Sequence, residues 1–350
     1  MNFEHILITG GAGFIGCNFA DELLAEGHTV TIFDNLSRPG APLNLEWLNR
    51  RHPVSHFRFV RGDIRDFDAL HAAMDGAEVV YHLAAQTAVT TSLTHPREDF
   101  EINALGTFNM LEAARGMPTP PIVVYASTNK VYGSLAQARV IEDTTRYTLP
   151  DQPNGIDECW PLDFHSPYGC SKGAADQYVR DYARIYGLRT VVMRQSCIYG
   201  QRQFGVEDQG WVAWFAIAAI LGKPITVYGN GKQVRDLLHV NDLAQAWERA
   251  VTQISTTAGR VYNLGGGMQN IISIWAEFGE LLSELLKHKV EAAGFEGWRA
   301  GDQPVFISDT RQAKADFDWQ PTTGIRTGVA DLVKWVSDNR ETISAALSRR

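Results

Sequence analysis

Short apolar runs and longer amphipathic stretches alternate through the first two hundred residues of this 350-residue chain. The runs at 5–9, 28–34, 57–61, 79–83, 122–126 and 188–193 have the length of strands, and the patterning at 66–74, 99–115 and 167–186 suits helices. A helical stretch, Cys17–Glu26, also follows the first run. Alternation of this kind predicts a parallel sheet covered by helices on both faces. The regularity fails twice. Residues 134–165 are rich in Pro, Asp, Gln and Thr and contain an Asn154-Gly155 turn signal, so a long functional or mobile loop is expected. Beyond Gly200 the pattern turns irregular, with helices expected near 240–252, 273–287 and 327–347. We read 1–200 as one unit to which 236–259 returns, and 201–235 with 260–350 mainly as a smaller C-terminal lobe.

Between the first strand and its helix lies Gly10-Gly-Ala-Gly13-Phe-Ile-Gly16, and the second strand ends in Asp34, 18 residues after Gly16. Each part has a physical task in holding a dinucleotide. Gly10 permits the tight turn, Gly13 lets backbone N–H groups approach a pyrophosphate, and Gly16 lets the helix pack on the strand. The positive helix end then faces the phosphates. Asp34 can hydrogen-bond the ribose hydroxyls and repel a 2′-phosphate, which favours NAD over NADP, a preference that nearby Arg38 softens. With this turn after the first strand, the fold class is α/β: a Rossmann-type doubly wound sheet in the order 3-2-1-4-5-6, with the smaller C-terminal lobe binding substrate. Asp34, Asp63, Leu83-Ala84-Ala85-Gln86 and Ser127-Thr128 all fall at carboxyl ends of strands, where the ligand crevice of such a sheet opens.

Composition narrows the partners. A formal net charge of −8 argues against a general nucleic-acid or membrane-surface binder, so an anionic ligand needs a local cluster of cations. Cys17, Cys159, Cys170 and Cys197 have no CxxC or metal-ligand spacing and read as reduced thiols; no metal is expected. The first strand starts almost at Met1, and the longest apolar run, Trp211–Leu221, is far shorter than the ~20 residues of a membrane span. A cytoplasmic protein is the expectation.

Ser166-Pro167-Tyr168-Gly-Cys-Ser-Lys172 is the second chemical signal. Ser166 suits an N-cap and Pro167 the first helical position. Tyr168 and Lys172, four apart, then share a helix face. A phenol of ordinary pKa about 10 is a poor base, and a nearby ammonium with the positive helix end is expected to favour its phenolate. Thr128, at the end of a strand, offers a hydroxyl to the substrate oxygen that Tyr168 deprotonates.

Glycine turn, Thr128, Tyr168 and Lys172 together resemble the extended short-chain dehydrogenase/reductase superfamily, matching its glycine turn, its Ser/Thr–Tyr–Lys triad and its cofactor contacts. Within it the chain is similar to the nucleotide-sugar epimerases and dehydratases. Residues 33–38, 127–133, 163–178 and 231–236 are most similar to epimerases that invert C2 of CDP-linked sugars of the paratose/tyvelose type. The resemblance implies catalysis by Thr128, Tyr168 and Lys172, with NAD held by Gly10, Gly13, Phe14, Ile15, Gly16, Asp34, Asn35, Arg38, Asp63, Ile64, Leu83, Ala85, Gln86, Asn103 and Ser127 beside Tyr168 and Lys172. Substrate contacts are expected from Asn129, Lys130, Gln195, Arg202, Gln209, Arg235, Arg299 and Asp302. Among these, Arg202 and Arg235 are candidate phosphate clamps, since guanidinium pairs bidentately with phosphate. The resemblance further implies a 2-keto intermediate, an NAD regenerated in every cycle, a place in lipopolysaccharide O-antigen biosynthesis, and a homodimer or homotetramer joined through the helices near 99–115 and 167–186. Related 4,6-dehydratases carry an Asp-Glu pair directly after the threonine; here those positions are Asn129 and Lys130. Two alternatives stay open: a UDP-hexose 4-epimerase with the same triad, and a non-catalytic NAD-binding sensor.

Overall fold

Ile6, Leu7 and Ile8 are apolar without interruption because both faces of their strand are covered. Ile6 and Ile8 join Phe19, Val30 and Trp247 on one face, and Leu7 joins Phe33, Val80 and Met110 on the other. In the computed structural model, which describes residues 3–53 and 55–348, the central sheet has seven parallel strands. Their order is Phe57–Arg61, Thr29–Asp34, His5–Thr9, Val79–His82, Ile122–Thr128, Thr190–Gln195 and Val261–Leu264. Six of them are the expected strands in the expected doubly wound order. Helices Phe14–Ala25, Ala41–Arg51 and Val240–Thr252 line one face; Phe67–Ala73, Gly106–Gly116 and Ser166–Tyr186 line the other.

The seventh strand corrects the expected boundary at residue 260. Val261–Leu264 pairs with Thr190–Gln195, and helix Arg311–Phe317 covers it, Phe317 lying edge-on to Tyr262 at 4.9 Å. Both belong with the sheet rather than with the second lobe. The helix Ala41–Arg51 was not expected, because only Ala41, Asn44 and Leu48 of it are buried and its apolar periodicity is faint. The stretch 99–115 is broken into Pro96–Phe100, a π-helical turn Glu101–Leu105, and Gly106–Gly116. At its end Gly106 lies so close to Ile64 that a Cβ would stand 2.6 Å from Ile64 Cδ1. Near 273–287 the helix is only Phe278–Leu286, since Ile271–Ser273 pairs antiparallel with Val234–Asp236. The last helical stretch divides into Ile325–Asp338 and Arg340–Leu347.

In the second lobe Val234–His239 pairs with Ile271–Ser273, Val305–Phe306 and Cys197–Tyr199. Helices Trp211–Leu221, Phe278–Leu286 and Ile325–Asp338 pack there around Tyr199, Phe215 and Trp335. The long segment 134–165 is not loose. Ile156 is fully buried with Tyr132, Val234 and Phe306, and Gly155 takes φ 91° where a Cβ would meet the Ile307 carbonyl at 2.5 Å. This segment ties the end of the fifth strand to the second lobe. Among the described residues no helix is long and apolar enough to cross a membrane.

Candidate active site

A cavity of about 420 Å³ opens at the carboxyl ends of the strands. One wall carries the glycine turn, Asp34, Asn35, Arg38, Asp63 and Ile64; another carries Leu83, Ala85, Ser127, Thr128, Tyr168 and Lys172; a third carries Gln195, Arg202 and Gln209. The parts expected for cofactor, acid–base chemistry and substrate therefore meet in one space.

The glycine turn is a cradle that side chains would fill. A Cβ on Gly10 would lie 2.7 Å from the Ala84 backbone N, and one on Gly16 would lie 2.5 Å from the Gly10 carbonyl oxygen. Helix Phe14–Ala25 starts at this turn with no side chain capping it, so its positive end faces the cavity. Asp34 accepts from the Ala12 N–H at 3.0 Å and the Leu36 N–H at 2.7 Å. Burial raises its pKa, and these backbone donors together with Gly13 hold it back. A carboxylate has lone pairs left for ribose hydroxyls after two such bonds. Asp63 is gripped by Arg65 and by Asn35 Nδ2 at 3.0 Å, and the Arg65 hydrogen bond pulls its pKa down to about 2. These features fit a dinucleotide. Gly16→Ala should force the turn apart and weaken NAD binding roughly ten- to hundredfold, as titration calorimetry on nucleotide-free protein would measure.

Tyr168 and Lys172 stand on the first turns of Ser166–Tyr186, both buried. Ser166 itself takes φ 68°, and its hydroxyl accepts from the Gly169 N–H at 3.3 Å, so it caps the helix from within its first turn. Against expectation, the phenol's pKa is not lowered. Burial pushes it up to about 12, although a hydrogen bond with the Thr128 hydroxyl opposes this. The ammonium does not face the phenol: Lys172 Nζ donates to the Ala126 carbonyl oxygen at 2.7 Å and lies over the Tyr125 ring at 4.3 Å. Burial draws Lys172 down to about 7, against the attraction of Asp176 and then Asp99.

Other expected contacts lie beside the cavity rather than on its wall. Gln86 and Asn103 form a buried network: Asn103 Oδ1 accepts from the Gln86 N–H at 2.9 Å, and Asp99 accepts from Gln86 Nε2, Asn103 Nδ2 and the Ser171 hydroxyl. They brace the end of the fourth strand against the tyrosine helix. Asn129 Nδ2 donates to Gln303 Oε1 at 3.3 Å. Lys130 Nζ lies 3.4 Å from Asp302, which also accepts from Arg235 Nη2 at 2.6 Å. Arg299 sits over the Tyr228 ring at 3.9 Å and pairs with Asp208. Arg202 and Gln209 do stand on the cavity wall, Arg202 over Trp47 at 4.1 Å on the side of the glycine turn and Gln209 accepting from Arg38 there. Ser196 and Cys197 line the cavity without having been expected, and only their place just past the sixth strand end could have marked them.

A model of the NAD dependent epimerase/dehydratase family matches residues 6–265. The chain belongs to that family. Its cofactor is NAD, and it is a nucleotide-sugar epimerase of the extended short-chain dehydrogenase/reductase type. It is 45% identical to a CDP-paratose 2-epimerase from Salmonella typhi over 95% of this chain and 99% of that one. Among solved structures it is similar to a dTDP-glucose 4,6-dehydratase double mutant from Streptomyces venezuelae with NAD and DAU bound. That likeness has a TM-score of 0.82 and 28% identity, covering 97% of this chain and 99% of the other. A UDP-glucose 4-epimerase with UDP-glucose from Thermotoga maritima matches with a TM-score of 0.79 and 27% identity, over 96% and 100% of the two chains.

Proposed function

We propose that this epimerase inverts C2 of a CDP-linked deoxysugar of the paratose/tyvelose type. The observation that carries the chemistry is the meeting of Thr128, Tyr168 and Lys172 on one cavity wall, with no carboxyl group at 129 or 130. That absence disfavours removal of water across a carbon–carbon bond, which needs a further acid and base. The likeness to the Salmonella typhi enzyme supports the choice of C2 and of cytidine.

NAD, when bound, supplies the acceptor and later the donor of a hydride, and a positive charge near the phenol. Tyr168 takes the proton of the C2 hydroxyl, and Thr128 holds the same oxygen once it has become a carbonyl. Lys172 fixes the end of the fifth strand through Ala126 and carries charge beside the cofactor wall. The sugar presents its other face, Tyr168 returns the proton to the oxygen, and the second lobe anchors the nucleotide meanwhile. In that lobe, which we take as 201–235 with most of 266–350, Arg235 is the proposed phosphate clamp, its partner Asp302 being shared with Lys130. Gln195 and Arg299 are proposed to contact the sugar nucleotide.

We place the protein in the cytoplasm, in the assembly of O-antigen sugars, and as a homodimer or homotetramer. Support for association comes from the helices 96–116 and 166–186, which expose Phe100, Phe108, Tyr178 and Ile185 together, whereas Leu111 is core. Substrate deuterated at C2, turned over in ordinary water, should give product that keeps deuterium at C2, read by mass spectrometry, with no sustained rise in absorbance at 340 nm. Full washout of the label would mean proton abstraction at carbon and would sink the hydride reading. Interconversion of UDP-glucose and UDP-galactose in place of the CDP-sugars would favour the 4-epimerase alternative.

A further inference from the structure

The residues Gln201–Gly210 run from the second lobe across the nucleotide-binding unit, and they are pinned at four places. Asn18 Nδ2, on the helix that starts at the glycine turn, donates to the Gln201 carbonyl oxygen at 3.0 Å. Asn44 Nδ2, on the neighbouring helix, donates to the Arg202 carbonyl oxygen at 3.4 Å and to the Ala12 carbonyl oxygen of the glycine turn at 3.2 Å. The Phe204 ring lies so tightly on Gly40 that a Cβ there would come within 2.3 Å of it. Arg38 donates to the Gln209 side chain. The segment therefore forms a strap whose inner side is cavity wall, facing Gly10–Gly16 and Asp34.

Its ends can hinge. Gly200 takes φ 155° and Gly210 φ 77°, and the tip closes on itself as the Val206 and Gln209 backbones exchange hydrogen bonds at 2.9 and 3.0 Å. Arg202 and Gln209, expected to serve the sugar, are thus engaged over the cofactor end of the cavity.

We infer that this strap retains NAD between the two hydride transfers, with Asn18, Asn44 and Gln209 as the latch. The inference rests on the epimerase reading, in which the same nucleotide must accept and return the hydride. The chemistry gives the latch a purpose. If reduced cofactor left midway, the oxidised sugar would be stranded and the stereocentre never reset. Two of the pins are uncharged amide-to-carbonyl hydrogen bonds and a third is ring packing, so these hold without attracting or repelling the anionic ligand, while the fourth ties the Arg38 guanidinium to Gln209.

The test is release of NAD, measured without turnover. Parent, Asn18→Ala, Gln209→Ala and the double variant are loaded with radiolabelled NAD, stripped of free nucleotide by gel filtration, and chased with unlabelled NAD. Each single variant should release label about fivefold faster, and the pair about 25-fold faster. Their urea midpoints should stay near that of the parent, since neither residue belongs to the core. Asn18 also donates to the Phe14 carbonyl oxygen at 2.8 Å and Gln209 also lines the cavity, so a like effect of the two single variants, which share no other contact, assigns the release to the strap. Equal release rates in parent and variants would overturn the strap alone. A parent that binds no NAD would overturn the epimerase reading and the strap with it.

Discussion

Tyr168→Phe is expected to slow turnover roughly 10²- to 10⁴-fold while NAD stays bound. The phenyl ring refills the buried space, so the cavity wall persists and only the exchangeable proton is lost. Quantifying acid-released nucleotide beside the epimerisation rate would separate the two effects. Retained activity would remove Tyr168 from the acid–base role. The same residue dictates a pH dependence. With burial lifting the phenol to about 12, the phenolate is scarce at neutral pH in the protein alone. Below the phenol's pKa, phenolate increases tenfold per pH unit, so kcat/KM should climb as pH rises from acid. The bound cofactor's positive charge shifts that climb to lower pH by favouring phenolate. In Tyr168→Phe the residual rate should lose this rising limb. Removing the Thr128 hydroxyl, which favours the phenolate in the protein alone, should move the limb to higher pH.

The cofactor side of this site was legible because its physics is local. Strand, glycine turn, helix and second strand occupy residues 5–34, and most of the constraints act within or beside that span, the close approach of Gly10 to Ala84 being the exception. The acid–base pair was half legible. Spacing places Tyr168 and Lys172 on one face, but the ammonium's real partners, Ala126 and Tyr125, come from a strand more than forty residues earlier. A phenol lowered by its neighbour was therefore expected, and a phenol raised by burial is found. Charges in the second lobe were the least legible. Nothing local marks Lys130 and Arg235 as sharing Asp302, which stands 172 and 67 residues away from them. Likewise the seventh strand, only four residues long, is too short for its periodicity to stand out from a loop.

Asp176→Ala should cost about 3–5 kcal/mol of stability, the largest loss expected from a single side chain near the site. Asp176 is fully buried and forks onto Arg194 with two contacts of 2.9 Å, while the Ser127 hydroxyl donates to it at 2.7 Å. Arg194 is itself buried and donates to the Tyr132 hydroxyl at 3.0 Å, which in turn donates to Asn263. Truncating Asp176 leaves a guanidinium in the interior with no counter-charge, and urea denaturation should register the full penalty. Replacing both partners by apolar groups, Asp176→Leu with Arg194→Met, should recover most of that stability, because a buried pair barely outweighs its own desolvation. Activity should not recover with it. Asp176 stands one helical turn beyond Lys172 and favours its ammonium against burial. Without the carboxylate the Lys172 pKa falls below about 7, so the charged form at neutral pH is depleted and the rate at pH 7 drops. A double variant that regains both stability and the parent's rate at pH 7 would reduce Asp176 to a purely structural residue. One that regains stability alone makes it the residue that holds the lysine in its charged, working state.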